Sequence, residues 1–140
     1  PKSTEAAASI AQVETAEAAG RAAQALRLAR AGEYDQATRL VRDDAVAGLP
    51  SAQFVVGTMY ALGMGTPLDP REGSIWWARA ARQGHAEATY MLGLYLLNGN
   101  ELARREGWGL IESSAQKGSS GALRFIDQVE AARAKTAQAY

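Results

Sequence analysis

Apolar and small residues recur along this chain at helical spacing, and nowhere do they alternate in the strict two-residue rhythm of a strand. The clearest stripe is Ala52, Val55, Val56, Met59, Tyr60 and Gly63, which follows i, i+3/i+4 spacing. Pro50 stands where a first helical turn accepts it, and Gly63-Met64-Gly65 supplies the stop. A second helix opens at Asp69 as N-cap, with Pro70 at the first helical position. Glu72 is placed for a reciprocal capping bond, and Gly84 is placed to take the left-handed conformation at the end. Extended along the chain, the same signals predict helices near 4–31, 34–47, 51–63, 70–83, 86–98, 104–117 and 120–138.

These helices repeat. Gly48-Leu-Pro-Ser-Ala52 returns as Gly84-His-Ala-Glu-Ala88 and as Gly118-Ser-Ser-Gly-Ala122, at spacings of 36 and 34 residues. Ala52, Val56, Gly57 and Gly63 correspond to Ala88, Leu92, Gly93 and Gly99. After a shorter loop in the second copy, Gly73, Trp76, Trp77, Ala81 and Gly84 correspond to Gly107, Leu110, Ile111, Ala115 and Gly118. A period of this length is one helical hairpin, so the expected fold is all-α, a right-handed α-α superhelix of about three and a half hairpins. The hairpins fall near 18–48, 49–84 and 85–118 of a single repeat domain, with an N-terminal helix extension over 4–20 and a C-terminal capping helix over 119–138. Gly57 and Gly93 lie mid-helix, where glycine costs about 1 kcal/mol against alanine, so a close-packed partner helix is expected over each. Ala80-Ala81 serves that approach from the facing helix, and Trp76 is expected to fill the space between neighbouring hairpins.

Ala52-Gln-Phe-Val-Val-Gly57-Thr-Met-Tyr60-Ala-Leu-Gly63-Met-Gly65, followed by Asp69, Trp76 and Ala80-Ala81-Arg-Gln83-Gly84, resembles the Sel-one-like repeat, a relative of the tetratricopeptide repeat. A degenerate copy runs from Ala86 to Gly118. Leu96 replaces the aromatic, Glu101 the second loop glycine, Ala103 the capping Asp and Leu110 the Trp. Upstream, Ala25-Leu-Arg-Leu-Ala-Arg-Ala-Gly32-Glu-Tyr34-Asp-Gln-Ala37 resembles a tetratricopeptide hairpin, and the resemblance as a whole covers about 18–126. It implies an α-solenoid that acts as an adaptor or assembly factor. Bacterial members are often periplasmic or secreted, which points to the periplasm or another extracytoplasmic space, the cytoplasm remaining compatible.

Stacked hairpins expose a concave surface lined by the first helix of each pair, suited to an extended or helical peptide. Carried over from the tetratricopeptide family, its positions are Phe54, Val55, Thr58, Ala61 and Leu62, then Tyr90, Met91, Leu94, Leu97 and Asn98, then Arg124, Phe125, Gln128 and Ala131. That set is apolar with few charges, and favours an apolar or amphipathic segment over an acidic tail. Val55, Met91 and Phe125 fit core equally well. Trp77 is rotated about 100° from Trp76 and faces either the next hairpin or solvent. Trp108 matches Ser74 of the preceding copy, so the repeat does not require it. It fits either core or a contact with a partner, and Trp77 and Trp108 form a secondary candidate patch. Along Thr4 to Gly20, Ile10, Val13, Ala16 and Gly20 form a narrow seam that caps the array, pairs with another copy or joins an upstream segment.

Composition removes most chemistry. Fifteen Lys+Arg balance 15 Asp+Glu for a net charge of zero, which offers no field to collect nucleic acid or acidic membrane. The absence of cysteine excludes disulfides and sulfur-ligated zinc, while the one histidine removes most imidazole metal sites and weakens any hydrolytic triad. The longest apolar stretch, 54–65, is well short of the roughly 20 residues of a spanning helix. A chain that opens on Pro1 is expected to be a processed or trimmed piece. Ser114-Ala-Gln-Lys117 spells S-x-x-K and Lys135-Thr136-Ala137 approaches K-T-G, but Ser114 lies in the last turn of a repeat helix, with no sheet and no S-D-N. Gly63-x-Gly65 and Gly107-x-Gly109 follow no strand and lack the third glycine of a nucleotide loop. His85 reads as a solvated turn residue.

The expected function is therefore a non-catalytic interaction or scaffold module that binds a peptide or protein in an apolar groove, with neither cofactor nor metal. Assembly or regulation of a bacterial envelope complex is the setting the resemblance implies. The alternatives are a cell-wall or glycan-associated binding module, which needs Trp77 and Trp108 in solvent beside Asn or Gln, and a self-assembly domain of a larger protein that pairs through the N-terminal helix.

Overall fold

The computed structural model describes residues 14–139. Among them are seven helices and no strand: α1 (Ala16–Arg30), α2 (Tyr34–Val46), α3 (Pro50–Leu62), α4 (Pro70–Arg82), α5 (Ala86–Leu96), α6 (Glu101–Gln116) and α7 (Ser120–Ala139). The all-α class and the hairpin repeat are as the sequence predicts. The expected continuous helix over 4–31 does not run through 14–15: Thr15 is extended and caps α1, its hydroxyl accepting from the Ala18 N–H at 3.1 Å, while residues 4–13, with Ile10 and Val13, lie outside the described residues. The chain forms two compact units, the first ending at His85 and the second starting at Ala86.

In the first unit α1 pairs with α2 and α3 with α4, while α3 also rests on α1 and α2. Its core is built mainly of alanine: Ala22, Ala25 and Ala29 from α1, Ala37, Val41 and Ala45 from α2, and Ala52, Val55 and Met59 from α3. Spacings of three and four keep these residues on one face of each helix, and short side chains let the backbones approach closely. Leu49, which precedes α3, offers no side-chain cap. Glu14 takes that role across the fold, accepting from the Ser51 backbone N–H at 2.8 Å and from its hydroxyl at 2.6 Å. A carboxylate at a helix N-terminus satisfies an orphan donor and complements the dipole. Gln83, just beyond α4, donates to the Gly48 carbonyl and to Gln53 Oε1, both at 2.9 Å, and so ties the end of the second hairpin to its start.

The predicted turn at Gly84 has a φ of +89°, which only glycine takes without strain. Asp69 caps α4 as predicted, accepting from the Glu72 N–H at 3.1 Å. The reciprocal bond from Glu72 is not made, because the Asp69 N–H is already donated to the Tyr60 carbonyl at 2.8 Å.

The second unit packs α5 against α6, and α7 against both. Here α6 begins at Glu101 rather than near 104. Asn100 supplies the cap that Ala103 cannot, its Oδ1 accepting from the Ala103 N–H at 2.9 Å. Asn100→Ala is expected to fray the first turn of α6 and cost about 1 kcal/mol, read as a lower urea midpoint with unchanged slope. Ser119 caps α7 at the Ala122 N–H and donates to Glu87 at 2.8 Å.

The α3–α4 and α5–α6 hairpins are each closed by a pair of facing glycines. A Cβ on Gly57 would meet Trp77 Cδ1 at 2.7 Å and the Gly73 carbonyl at 2.9 Å, and one on Gly73 would meet the Gly57 carbonyl at 2.6 Å. Gly93 and Gly107 repeat this arrangement, with Ile111 in the place of Trp77. The close approach expected from the mid-helix glycines is thus present, but the large residue over it is Trp77. It is 4 % exposed, whereas Trp76 is half-buried. Trp77 follows Gly73 by four residues and shares its face; Trp76 is turned about 100° away.

Candidate functional site

In the first unit the candidate side chains on α3 divide between surface and core. Phe54 is half-buried and stacks on His85, centroids 4.9 Å apart and rings inclined by 26°. His85 is therefore part of the apolar surface at the end of this hairpin and not the solvated turn residue expected. Leu62 is 56 % exposed, well above ordinary core burial. Thr58 is buried, because its hydroxyl donates to the Phe54 carbonyl at 2.9 Å and accepts from the Trp77 indole N–H at 3.3 Å. Val55, for which groove and core were equal readings, is core. Thr58 and Trp77 are thus joined inside the hairpin and present no surface to a partner. Trp77 leaves the secondary patch for the same reason: the Gly57–Gly73 approach leaves room only for the residue directly above it.

The second unit gathers an aromatic row that the groove positions only partly anticipate. Tyr90 on α5 is half-buried and meets Phe125 of α7, centroids 6.3 Å apart at 56°. Phe125 in turn meets Trp108 of α6 at 6.0 Å and 55°, and the Arg133 guanidinium lies 5.8 Å from the Trp108 ring. Tilted rings at such distances are favourable through their quadrupoles, and the guanidinium adds a cation–π contact. Trp108 is half-buried within this row. Nothing in the repeat period marks the row, because Trp108 departs from the preceding copy; the signal was the coincidence of Trp108 and Phe125 on successive helices.

Gly121 leaves space for Tyr90, since a Cβ there would stand 2.7 Å from the ring. Burial, together with the Glu87 carboxylate, raises the Tyr90 phenol above its ordinary value, while Arg124 acts in the opposite sense. Tyr90 therefore remains a neutral donor. Around the row, Met91, Leu94 and Leu97 are half-buried, and Asn98, Arg124, Gln128 and Ala131 are exposed. Leu123 is 48 % exposed beside Arg124.

Ser114 of the S-x-x-K string is fully buried and donates its hydroxyl to the Ile111 carbonyl at 2.8 Å, a back-bond within α6. Among the described residues no three of His, Cys, Asp and Glu gather as a metal site, and no helix is long and apolar enough to cross a membrane.

Residues 50–85 and 86–119 each match the Sel1 repeat. Among solved structures, the chain is similar to a Sel1 repeat protein from Oxalobacter formigenes. The two are 31% identical, the match covers 79% of this chain and 88% of that one, and the TM-score is 0.62. A comparison with curated proteins gave no match.

Proposed function

The chain belongs to the Sel1 repeat family, whose repeats are in general protein-interaction modules, and we propose that it is a non-catalytic scaffold for a protein or peptide partner. It takes apolar side chains of that partner on the first helix of each hairpin. Phe54 and Leu62 serve on α3, and Tyr90 and Leu94 serve on α5, with Asn98, Arg124 and Gln128 supplying polar contacts around the second set. The observation that carries this reading is the division of the helix faces. On α3, Val55, Thr58 and Met59 are consumed by the core, while Leu62, a large apolar residue, is left 56 % exposed. On α5, Ala88, Thr89 and Gly93 are buried while Tyr90 and Leu94 keep part of their surface. Side chains of this kind, held on rigid helices, are suited to apolar anchors.

The setting we propose is the assembly or regulation of a bacterial envelope complex outside the cytoplasm. The glycan-binding alternative loses support, because Trp77 is buried and Trp108 is engaged by Phe125 and Arg133.

The test is affinity capture from lysate of the source organism fractionated by compartment, with the native chain and Phe54→Ala/Tyr90→Ala/Leu94→Ala as baits of matched helicity. A protein retained by the native bait and lost by the triple variant, from an extracytoplasmic fraction, is the expected result. Equal retention by both baits would remove these positions from the contact. Light scattering across concentration separates self-assembly, which predicts a mass that rises with concentration.

A further inference from the structure

On the opposite side of α3 from Phe54, the first unit carries a cavity of about 270 Å³ that is open to solvent on one side. At 100° per residue, Val56, Met59 and Tyr60 point away from Phe54, Thr58 and Ala61. The cavity is bounded by α2, by that face of α3, by Met64–Thr66 of the α3–α4 loop and by Trp76. The loop is fixed there because Gly65, with φ +77°, lies against Tyr34, where a Cβ would come within 2.6 Å of the tyrosine Cβ. Between α5 and α6 the connection is cut to residues 97–100, against 63–69 between α3 and α4, so it supplies no such wall.

The lining has a chemical bias. Val41, Val56, Met59 and Met64 make it apolar, and none of its lining residues is acidic. Arg42 is its one cation; it is exposed and makes no ion pair among the described residues. Trp76 lines the same space, and its indole N–H is buried with no acceptor. That N–H is closed off from the space, so Trp76 offers it only ring surface, and the donor-only group that calls for an acceptor is the Arg42 guanidinium. A cavity of about 150 Å³ holds benzene, so this one has room for an apolar body somewhat larger. A single guanidinium matches a monoanionic carboxylate, while a phosphate dianion would remain half-neutralised.

We propose that this cavity is a binding site for a small apolar carboxylate, with the apolar body against Met59 and Trp76 and the carboxylate on Arg42. The source is either a free aliphatic or aromatic acid or the C-terminal residue of a polypeptide. The site is independent of the partner-binding reading above, since it uses another face and other residues.

The three tryptophans give three indole N–H cross-peaks in a ¹H–¹⁵N spectrum, and Trp76→Phe identifies one of them. Titration with 4-phenylbutyrate is expected to shift the Trp76 peak and leave those of Trp77 and Trp108 in place. The neutral 4-phenylbutanol is expected to bind about tenfold more weakly. Arg42→Gln, on an exposed position, is expected to bring the acid down to the level of the alcohol. Val46→Glu, at a lining position one turn beyond Arg42 and 77 % exposed in the native chain, sets a competing carboxylate beside the guanidinium and is expected to weaken the acid in the same sense. A short peptide ending in phenylalanine that binds more tightly than the free acid, and loses that advantage when amidated, assigns the source to a polypeptide end; the reverse order assigns it to a small molecule. An unmoved Trp76 peak up to about 10 mM probe overturns the site. Equal binding of acid and alcohol overturns the carboxylate.

Discussion

Gly107→Ala is expected to destabilise the second unit by about 1–2 kcal/mol, while Gly109→Ala, two residues along the same helix, is expected to stabilise it by about 0.5–1 kcal/mol. Alanine is the better helix former at both positions, so propensity alone predicts two gains. The surroundings reverse one of them. A Cβ on Gly107 would stand 2.6 Å from the Gly93 carbonyl oxygen and 2.9 Å from Leu96 Cβ, whereas one on Gly109 meets nothing within 4 Å. The obstacle at Gly107 is backbone, so relief requires α5 and α6 to separate, at the expense of packing around Ile111. The same contrast is expected in the first unit between Gly73→Ala, which meets the Gly57 carbonyl at 2.6 Å, and Gly20→Ala, which meets nothing. Urea unfolding followed by far-ultraviolet circular dichroism reads all four variants. A gain at Gly107 or Gly73 would show that the hairpins are not closed by glycine contact.

The glycine pairs also show how far the sequence carries the fold. Gly57 and Gly93 stand out as costly residues in apolar helices, and the correspondence of Gly73 with Gly107 follows from the repeat, so the close approach was legible before any coordinate. Helix limits were legible too, because Asp69, Pro70 and the glycine stops act locally. The start of α6 was misplaced for a specific reason. Alignment to the preceding copy put the cap at Ala103, but the shortened loop makes Asn100 the first residue able to satisfy the N–H groups of that turn.

The candidate site was less legible, because it depends on which of several adjacent apolar residues the hairpin consumes. A repeat comparison counts positions from the helix-centre glycine and treats Thr58 as surface. Its burial follows from the indole N–H of Trp77, which needs an acceptor at that point. The aromatic row of Tyr90, Phe125 and Trp108 and the cavity beside Trp76 arise from three elements each. Such arrangements rest on the angles at which hairpins meet and on loop length, neither of which is a property of any single stripe.

The adjacent tryptophans make the sharpest test of this packing. Trp77→Ala is expected to cost about 3–5 kcal/mol, a large share of the stability of a domain this size. Trp76→Ala is expected to cost about 1–2 kcal/mol. The difference lies in what each indole touches. Trp77 is 4 % exposed, lies over the Gly57–Gly73 approach and donates to Thr58. Its removal leaves a void between two helices whose backbones are already in contact and cannot close further. Trp76 is half-buried at the cavity wall, stacked under the Arg79 guanidinium at 4.6 Å, with a donor that finds no acceptor. Its truncation enlarges an existing space and releases that donor. Trp77→Phe is expected to recover most of the loss, since the ring still fills the gap and the Thr58 hydroxyl keeps its bond to the Phe54 carbonyl. Denaturant midpoints of the three variants decide the assignment. A larger loss at Trp76 than at Trp77 would mean that α4 is rotated by about 100° from the arrangement described here.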